Sequence, residues 1–241
     1  MVNWTQMHDC YEDVDRVPAL LERLEREDNP EAWEELGYRL VLEHDLVFPA
    51  SFAALPSLVR LASRSARARG LAGEILRRAA GHHGCDDLLA DCTRAITEFR
   101  ELLDQHLQSC PEDYLAAFLD LLAAKGEYHW SAVLGDFTDD FYHLACPHCA
   151  VDVTIAIGDR GRYSAIRDWN LGDVDRRGLR PATSDELSGN GRWMYETALR
   201  DGHKALADGI AHLFGKAECP HCASVFNIAE EYASANRPVL R

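Results

Sequence analysis

The sequence predicts a mainly α-helical protein in two parts: a helical domain over residues 1–135, and a domain over 136–241 in which short β-strands gather around four cysteines. Three observations carry this. Apolar residues recur three and four apart through the first 135 positions, and no stretch there alternates with period two. After Gly135 the texture changes, and Val151, Val153, Ile155 and Ile157 alternate with Asp152, Thr154 and Ala156. The tetrapeptide Cys-Pro-His-Cys occurs twice, at Cys146–Cys149 and at Cys219–Cys222.

The helical elements follow in order. Pro18 suits a first helical turn, where its missing N–H costs nothing, and Val17, Leu20, Leu21 and Leu24 form the apolar stripe. Asp28-Asn29-Pro30 ends that helix and caps the next, whose stripe is Trp33, Leu36, Leu40 and Val41. Glu43-His44-Asp45 reads as a loop. Phe52, Leu55, Leu58, Val59 and Leu61 mark another helix, with Pro56 at a kink or first turn. Leu71, Ile75, Leu76 and Ala79 continue the pattern until Gly81-His82-His83-Gly84 breaks it. One long helix is expected from Asp86 to Leu107. Cys110-Pro111 punctuates the chain, and Tyr114, Leu115, Phe118, Leu119 and Leu122 form the last helix of the series.

In the second part, Val151–Ile157 reads as a half-buried strand and residues 158–190 as a loop anchored by Trp169 and Leu171. A single helix is expected from Asn190 to Phe214, then a short strand over Ser224–Ile228. The tail after Tyr232 reads as frayed.

Composition limits function. The 241 residues suffice for one large or two ordinary domains, and 47% hydrophobic with 27% charged residues is usual for a soluble globular protein. No apolar run reaches the roughly 18 residues of a membrane span, and the first ten residues lack a basic segment and an apolar core, so a cytoplasmic location is expected. The formal net charge is −15: residues 1–135 carry 24 acids and 13 bases, residues 136–241 carry 16 and 12. Such a surface repels phosphate backbones, which disfavours nucleic acid and leaves a protein or peptide partner, preferably a basic one. Arg60, Arg64, Arg67, Arg69, Arg77 and Arg78 are the local exception. They read either as a solvated helical face pairing with nearby acids or as an anion-binding patch.

Reduced cytosolic thiols at CxxC spacing point to metal or redox chemistry before disulfides. Cys146, Cys149, Cys219 and Cys222 make a complete tetrahedral set for one structural zinc ion, and a proline after each first cysteine favours the tight turn. Four sulfurs leave no position for substrate, and His148 and His221 are turn residues on this reading. The arrangement resembles a zinc ribbon, each knuckle beside a short strand. It departs in spacing: 69 residues (150–218) separate the pairs instead of about 15–20, an insertion holding the loop and helix of 158–214. Cys-Pro-His-Cys also resembles the active site of thioredoxin-fold oxidoreductases, but there a helix follows the motif and here strands do. Cys10, Cys85, Cys92 and Cys110 read as buried free thiols. His82-His83 with Cys85, and His8 with Cys10, are candidate second metal sites, each near a helix end where polar loop residues are expected. No phosphate loop, nucleophile elbow or HxxxH pair is present.

Val17–Leu24 together with Phe52–Ala62 resembles helices of HEAT-like repeats, which implies an α-solenoid; a compact helical bundle is the alternative. Gly191-Arg192-Trp193-Met194-Tyr195 and His212-Leu213-Phe214-Gly215, preceding Cys219-Pro220-His221-Cys222, are similar to uncharacterised actinobacterial-type proteins that join HEAT-like helices to a split zinc ribbon. That resemblance implies architecture and no activity. The expectation is a non-enzymatic interaction protein, in a narrower version an immunity or self-resistance factor that neutralises a basic partner. The alternatives are a nucleic-acid-processing factor on a HEAT-like scaffold and a zinc or redox sensor.

Overall fold

The computed structural model describes residues 4, 7–13, 15–42, 46–79, 85–166 and 175–236, apart from the side chain of Cys85. The chain divides into two compact units, residues 1–134 and 135–237. Eleven helices and eight short strands lie among the described residues.

The first unit is built from helices whose starts the sequence dictates. In α1 (Arg16–Arg26) the buried residues are Val17, Leu20, Leu21 and Leu24. Asn29 caps α2 (Pro30–Leu40) by accepting the Ala32 N–H at 2.8 Å, with Pro30 in the first turn. A two-residue antiparallel pair, β1 (Val41–Leu42) with β2 (Leu46–Val47), leads into α3 (Pro49–Ala62). Pro49 occupies the first turn of α3, so Pro56 lies inside the helix. Ser51 is fully buried but satisfied: its hydroxyl donates to the Leu40 carbonyl at 2.6 Å and accepts the Phe48 N–H at 2.9 Å. Ser65 caps α4 (Ala66–Arg78), and Asp113 caps α7 (Tyr114–Ala124).

The expected single helix over 86–107 is two, α5 (Cys85–Asp91) and α6 (Thr93–Gln108). Local hydrogen bonding breaks it at Cys92. The Cys92 thiol donates to the Phe52 carbonyl at 3.2 Å, and the Thr93 hydroxyl donates back to Ala90 at 2.7 Å. A short α8 (Tyr128–Val133) ends the unit, so the helix at Tyr114 is not the last of the series as expected. Helices pair as α1–α2, α3–α4 and α6–α7. Across the pairs α1 packs on α3 and α3 on α6, while α2 packs on α4 and α4 on α7. The middle pair carries the deepest core, with Phe52, Leu55, Leu58, Ile75 and Leu76 at 1% exposure or less. Glu43-His44-Asp45 and Gly81–Gly84 fall outside the described residues.

An acidic side chain sits between α4 and α7. Asp120 on α7 is 6% exposed and takes the space that Gly73 on α4 leaves open, where any Cβ would collide with its carboxylate. Arg77 Nη1 lies 3.1 Å from Asp120 Oδ1, yet Oδ1 has no aligned hydrogen bond. Burial pushes the Asp120 carboxyl up to about 7, against the lowering effect of Arg77. The folded state therefore holds a proton that the unfolded state releases near the ordinary 3.8. Stability of this unit should fall as pH rises through that interval, by on the order of 3 kcal/mol. Asp120→Asn should flatten the slope in unfolding measured from pH 4 to pH 8; an unchanged slope in the variant would exclude Asp120 as its source.

The second unit has a four-stranded antiparallel sheet, β3 (Asp139–Ala145), β4 (Asp152–Gly158), β5 (Gly161–Ala165) and β6 (Arg176–Gly178), in sequence order. A second hairpin joins β7 (Lys216–Glu218) to β8 (Val225–Asn227). The two sheets are stitched by paired bonds between Arg180 and Lys216 at 2.8 and 2.9 Å, and by the Ser164 hydroxyl donating to Glu218 at 2.6 Å. Helices α9 (Gly189–Arg200), α10 (Lys204–Leu213) and α11 (Ile228–Ala235) complete the unit.

Four local expectations are corrected here. Residues 158–190 are no plain loop, since β5 and β6 form within them; Trp169 and Leu171 lie outside the described residues. The helix expected over 190–214 is α9 and α10, divided at Gly202, whose φ of +83° stops α9 while the His203 N–H returns to the Ala198 carbonyl. The alternating strand β4 is buried on both faces: α10 packs on it, and Ala156 joins Tyr163, Ala165 and Phe141 in a cluster, with Arg176 4.3 Å above the Tyr163 ring. Past Tyr232 the chain stays helical to Ala235, with α11 packed on β3 and Tyr232 meeting Tyr142 edge-on.

Candidate metal centre

Each Cys-Pro-His-Cys forms the turn of a hairpin. The first connects β3 to β4 beyond the pair Ala145–Asp152, and the second connects β7 to β8 beyond Glu218–Val225. The two turns share one hydrogen-bond pattern. Cys146 N–H donates to Val151 O at 2.8 Å and Ala150 N–H to Cys146 O at 2.8 Å; Cys219 N–H donates to Ser224 O at 2.9 Å and Ala223 N–H to Cys219 O at 2.9 Å. Each chain reversal ends on an alanine with φ of +59°, Ala150 and Ala223. That left-handed conformation costs a non-glycine residue on the order of 1 kcal/mol, and the same cost taken twice marks a geometry imposed by the turn.

These turns bring Cys146, Cys149, Cys219 and Cys222 together, all four sulfurs within 4.8 Å of one another. Cys146 Sγ lies 3.8 Å from Cys222 Sγ, and Cys149 Sγ lies 3.8 Å from Cys219 Sγ. A disulfide would need about 2.05 Å. A tetrahedron with metal–sulfur bonds of about 2.3 Å has edges of about 3.8 Å, so the sulfurs stand at the spacing of ligands around one soft metal ion. Cys146 and Cys219 are buried, Cys149 is half-buried and Cys222 is exposed.

The surroundings favour thiolate at one corner and oppose it at another. The Ser224 hydroxyl and N–H pull the Cys222 thiol down to about 6. At Cys149 the Val151 N–H acts in the same direction, but burial and hydrogen bonds to Cys222, Cys146 and Cys219 push it up to about 12. Four clustered sulfurs without a cation must share protons, because adjacent thiolates repel; a central dication removes that conflict. The four cysteines could therefore hold a metal ion, with every ligand position filled by protein.

The other sequence candidates are dispersed. Arg60 reaches the Glu25 carboxylate at 2.8 Å, and Arg64 donates to the Glu25 carbonyl at 2.7 Å. Arg69 turns to the Ala62 carbonyl and Arg77 to Asp120. Arg67 is exposed in a groove beside Trp33, and Arg78 is half-buried. Thus Arg60 and Arg64 share one partner, while Arg69 and Arg77 serve others. Cys10 donates to the Tyr38 carbonyl, and among the described residues no group of three or more ligands includes it or His8. Of the thiols expected to be buried, Cys92 is, whereas Cys10 is half-buried and Cys110 is exposed. His82, His83 and the Cys85 side chain lie outside the described residues. His148 and His221 are exposed turn residues.

Sequence reasoning missed Ala150, Ala223 and Ser224, which shape the knuckles. The signal was present for the alanines, since the repeat is a pentapeptide, Cys-Pro-His-Cys-Ala, in both copies. It also missed an ion network without any motif. Asp9, whose side chain is fully buried, meets Arg39 Nη1 at 2.6 Å and accepts the Tyr11 and Asp13 N–H groups. Glu35 bridges Arg39 and Arg16, and the Arg16 guanidinium chiefly holds its carboxyl down at about 2.

Fold and site together define a mostly helical protein with a four-cysteine cluster suited to metal in its C-terminal unit. Comparison with protein families, with curated proteins and with solved structures found no match.

Proposed function

We propose that this is a non-enzymatic interaction protein whose C-terminal unit is a split zinc ribbon braced by one structural zinc ion, and whose helical unit binds a basic protein or peptide. The observation that carries the reading is the closed set of four sulfurs at tetrahedral spacing. A coordination sphere filled by protein gives rigidity and leaves no site for a substrate or metal-bound water. Binding then falls to the helical unit, where α1–α2, α3–α4 and α6–α7 stack as successive hairpins. That stacking supports a short HEAT-like α-solenoid over a bundle. The charge of −15 favours a cationic partner, as an immunity or self-resistance factor would require. Engagement of Arg60, Arg64 and Arg77 with acidic or carbonyl partners speaks against the nucleic-acid reading.

Elemental analysis of carefully prepared protein should find about one zinc per chain. Less than half an equivalent would sink the brace. Affinity capture from the source cell should recover a basic protein, whereas tight small-molecule binding with no protein partner would sink the interaction reading.

A further inference from the structure

The outward face of α2 is unusual in what it exposes. Glu31, Glu34 and Tyr38 stand three, four and seven positions apart and so share one face. Tyr38 is 60% exposed and Tyr11, in the segment that flanks α2, is 65% exposed; together they are two of five large apolar side chains left in the open among the described residues. Between them runs a groove of about 370 Å³, lined by Tyr11, Glu31, Glu34, Glu35, Tyr38 and Arg39. Its volume falls within the range of ligand clefts, roughly 300–1,000 Å³.

The charges in the groove are unevenly matched. Glu35 is occupied by Arg16 and Arg39. Glu31 and Glu34 have no ion pair among the described residues. Arg39 places its guanidinium 5.1 Å from the centroid of the Tyr11 ring, so one tyrosine of the groove already receives a guanidinium from within the chain. The Tyr38 ring has no such partner among the described residues. An uncovered aromatic face beside two uncompensated carboxylates complements a planar cation: the ring supplies a cation–π contact of about 0.5–2 kcal/mol and a carboxylate supplies two parallel hydrogen bonds. Guanidinium meets both better than ammonium, being flat, forked and less strongly hydrated.

We infer that this face of α2 is a docking surface for an arginine-bearing peptide segment, one guanidinium stacked on Tyr38 and held by Glu31 or Glu34. A second concavity beyond Glu34 is lined by Pro30, Trp33, Leu71 and Glu74 but also by the exposed Arg67, so the arginine contact is assigned to the Tyr38 groove and only uncharged or acidic peptide residues to the one beyond it. A second copy of this acidic chain would bring like charges together, which favours a basic peptide as the occupant. The inference rests on the reading of a basic partner and assigns it a surface.

Fluorescence anisotropy with a labelled octapeptide of alternating arginine and glycine, titrated with the full chain, tests this. Binding should saturate, should weaken when lysine replaces arginine, and should vanish when glutamine does. Tyr38→Ala and Tyr38→Leu should each weaken it about threefold or more, and the pair Glu31→Gln/Glu34→Gln about tenfold. Glu112→Gln/Asp185→Asn, which removes the same charge at exposed sites elsewhere, should change it less than about twofold. Failure to saturate, equal loss from the remote pair, or wild-type binding by Tyr38→Leu each overturns the assignment. Tyr38 is exposed, so circular dichroism should show its variants folded. A captured basic protein that binds wild type and Tyr38→Ala alike would overturn this surface and leave the interaction reading standing.

Discussion

Cys146→Ser is expected to abolish stoichiometric metal binding and unfold the C-terminal unit while the helical unit keeps its structure. Cys146 is one of the two buried sulfurs, 2% exposed, and its backbone closes the first knuckle through Val151. Structural four-ligand zinc contributes on the order of 10 kcal/mol to folding, comparable with the whole stability of a small domain. The two hairpins of the second unit carry the knuckles in their turns, and the β7–β8 hairpin is tied to β5 through Ser164 and to the segment after β6 through Arg180. Limited proteolysis with mass spectrometry reads the outcome, since the variant should leave a resistant fragment ending near residue 135. A chelator should do the same to wild type, and Cys110→Ser, at an exposed thiol, should not. A metal-free Cys146→Ser protein whose C-terminal unit resists protease as wild type does would show that the sulfurs brace nothing.

The second large effect belongs to Arg39. Its partner Asp9 is sealed from water, and removing one member of a buried ion pair strands the other. Burial pushes the Asp9 carboxyl up, but the Arg39 guanidinium and the N–H groups of Tyr11 and Asp13 outweigh it and hold the group below its ordinary 3.8. Arg39→Met should therefore cost about 3–5 kcal/mol at pH 7, lowering the melting temperature of the helical unit by roughly 10 °C or more. Asp9→Asn placed in the Arg39→Met background should recover a large part, because it removes the stranded charge. The stabilisation exists above the unfolded Asp9 value of 3.8 and is lost as pH falls through the lower folded value, so wild type and Arg39→Met should converge in strong acid. A difference under about 1 kcal/mol at pH 7 would mean that the pair offsets only its own desolvation.

Much of the local structure was legible because it depends on neighbours in sequence. The buried stripes of α1 and α2 are the residues that periodicity selects, and the cap at Asn29 follows from a side chain that accepts the N–H three residues on; Ser65 and Asp113 cap in the same way and were not singled out. The four cysteines were legible because a CxxC pair supplies two ligands from one turn. What periodicity misjudged involves partners far along the chain. Cys92 breaks a helix by donating to Phe52, forty residues away. β5 and β6 have no apolar signature, since Arg162, Arg176 and Arg177 occupy them; β5 pairs on the open edge of β4, and β6 in turn on β5. The alternation in β4 predicts one wet face, but Tyr163, Ala165 and Phe141 cover the side on which Ala156 lies.

The sequence by itself determined the strongly periodic helices α1–α4 and α7, the division of texture at Gly135, and which four sulfurs are fit to share a metal. Only the tertiary structure decided that those sulfurs stand 3.8 Å apart in matching pairs, that Asp120 occupies the space under Gly73, and that Tyr11 and Tyr38 open onto one groove. The physical reason is range. Propensity, capping and turn chemistry act over a few residues and can be read from a string, whereas desolvation, ion pairing and coordination depend on distances between residues that only the folded backbone brings together.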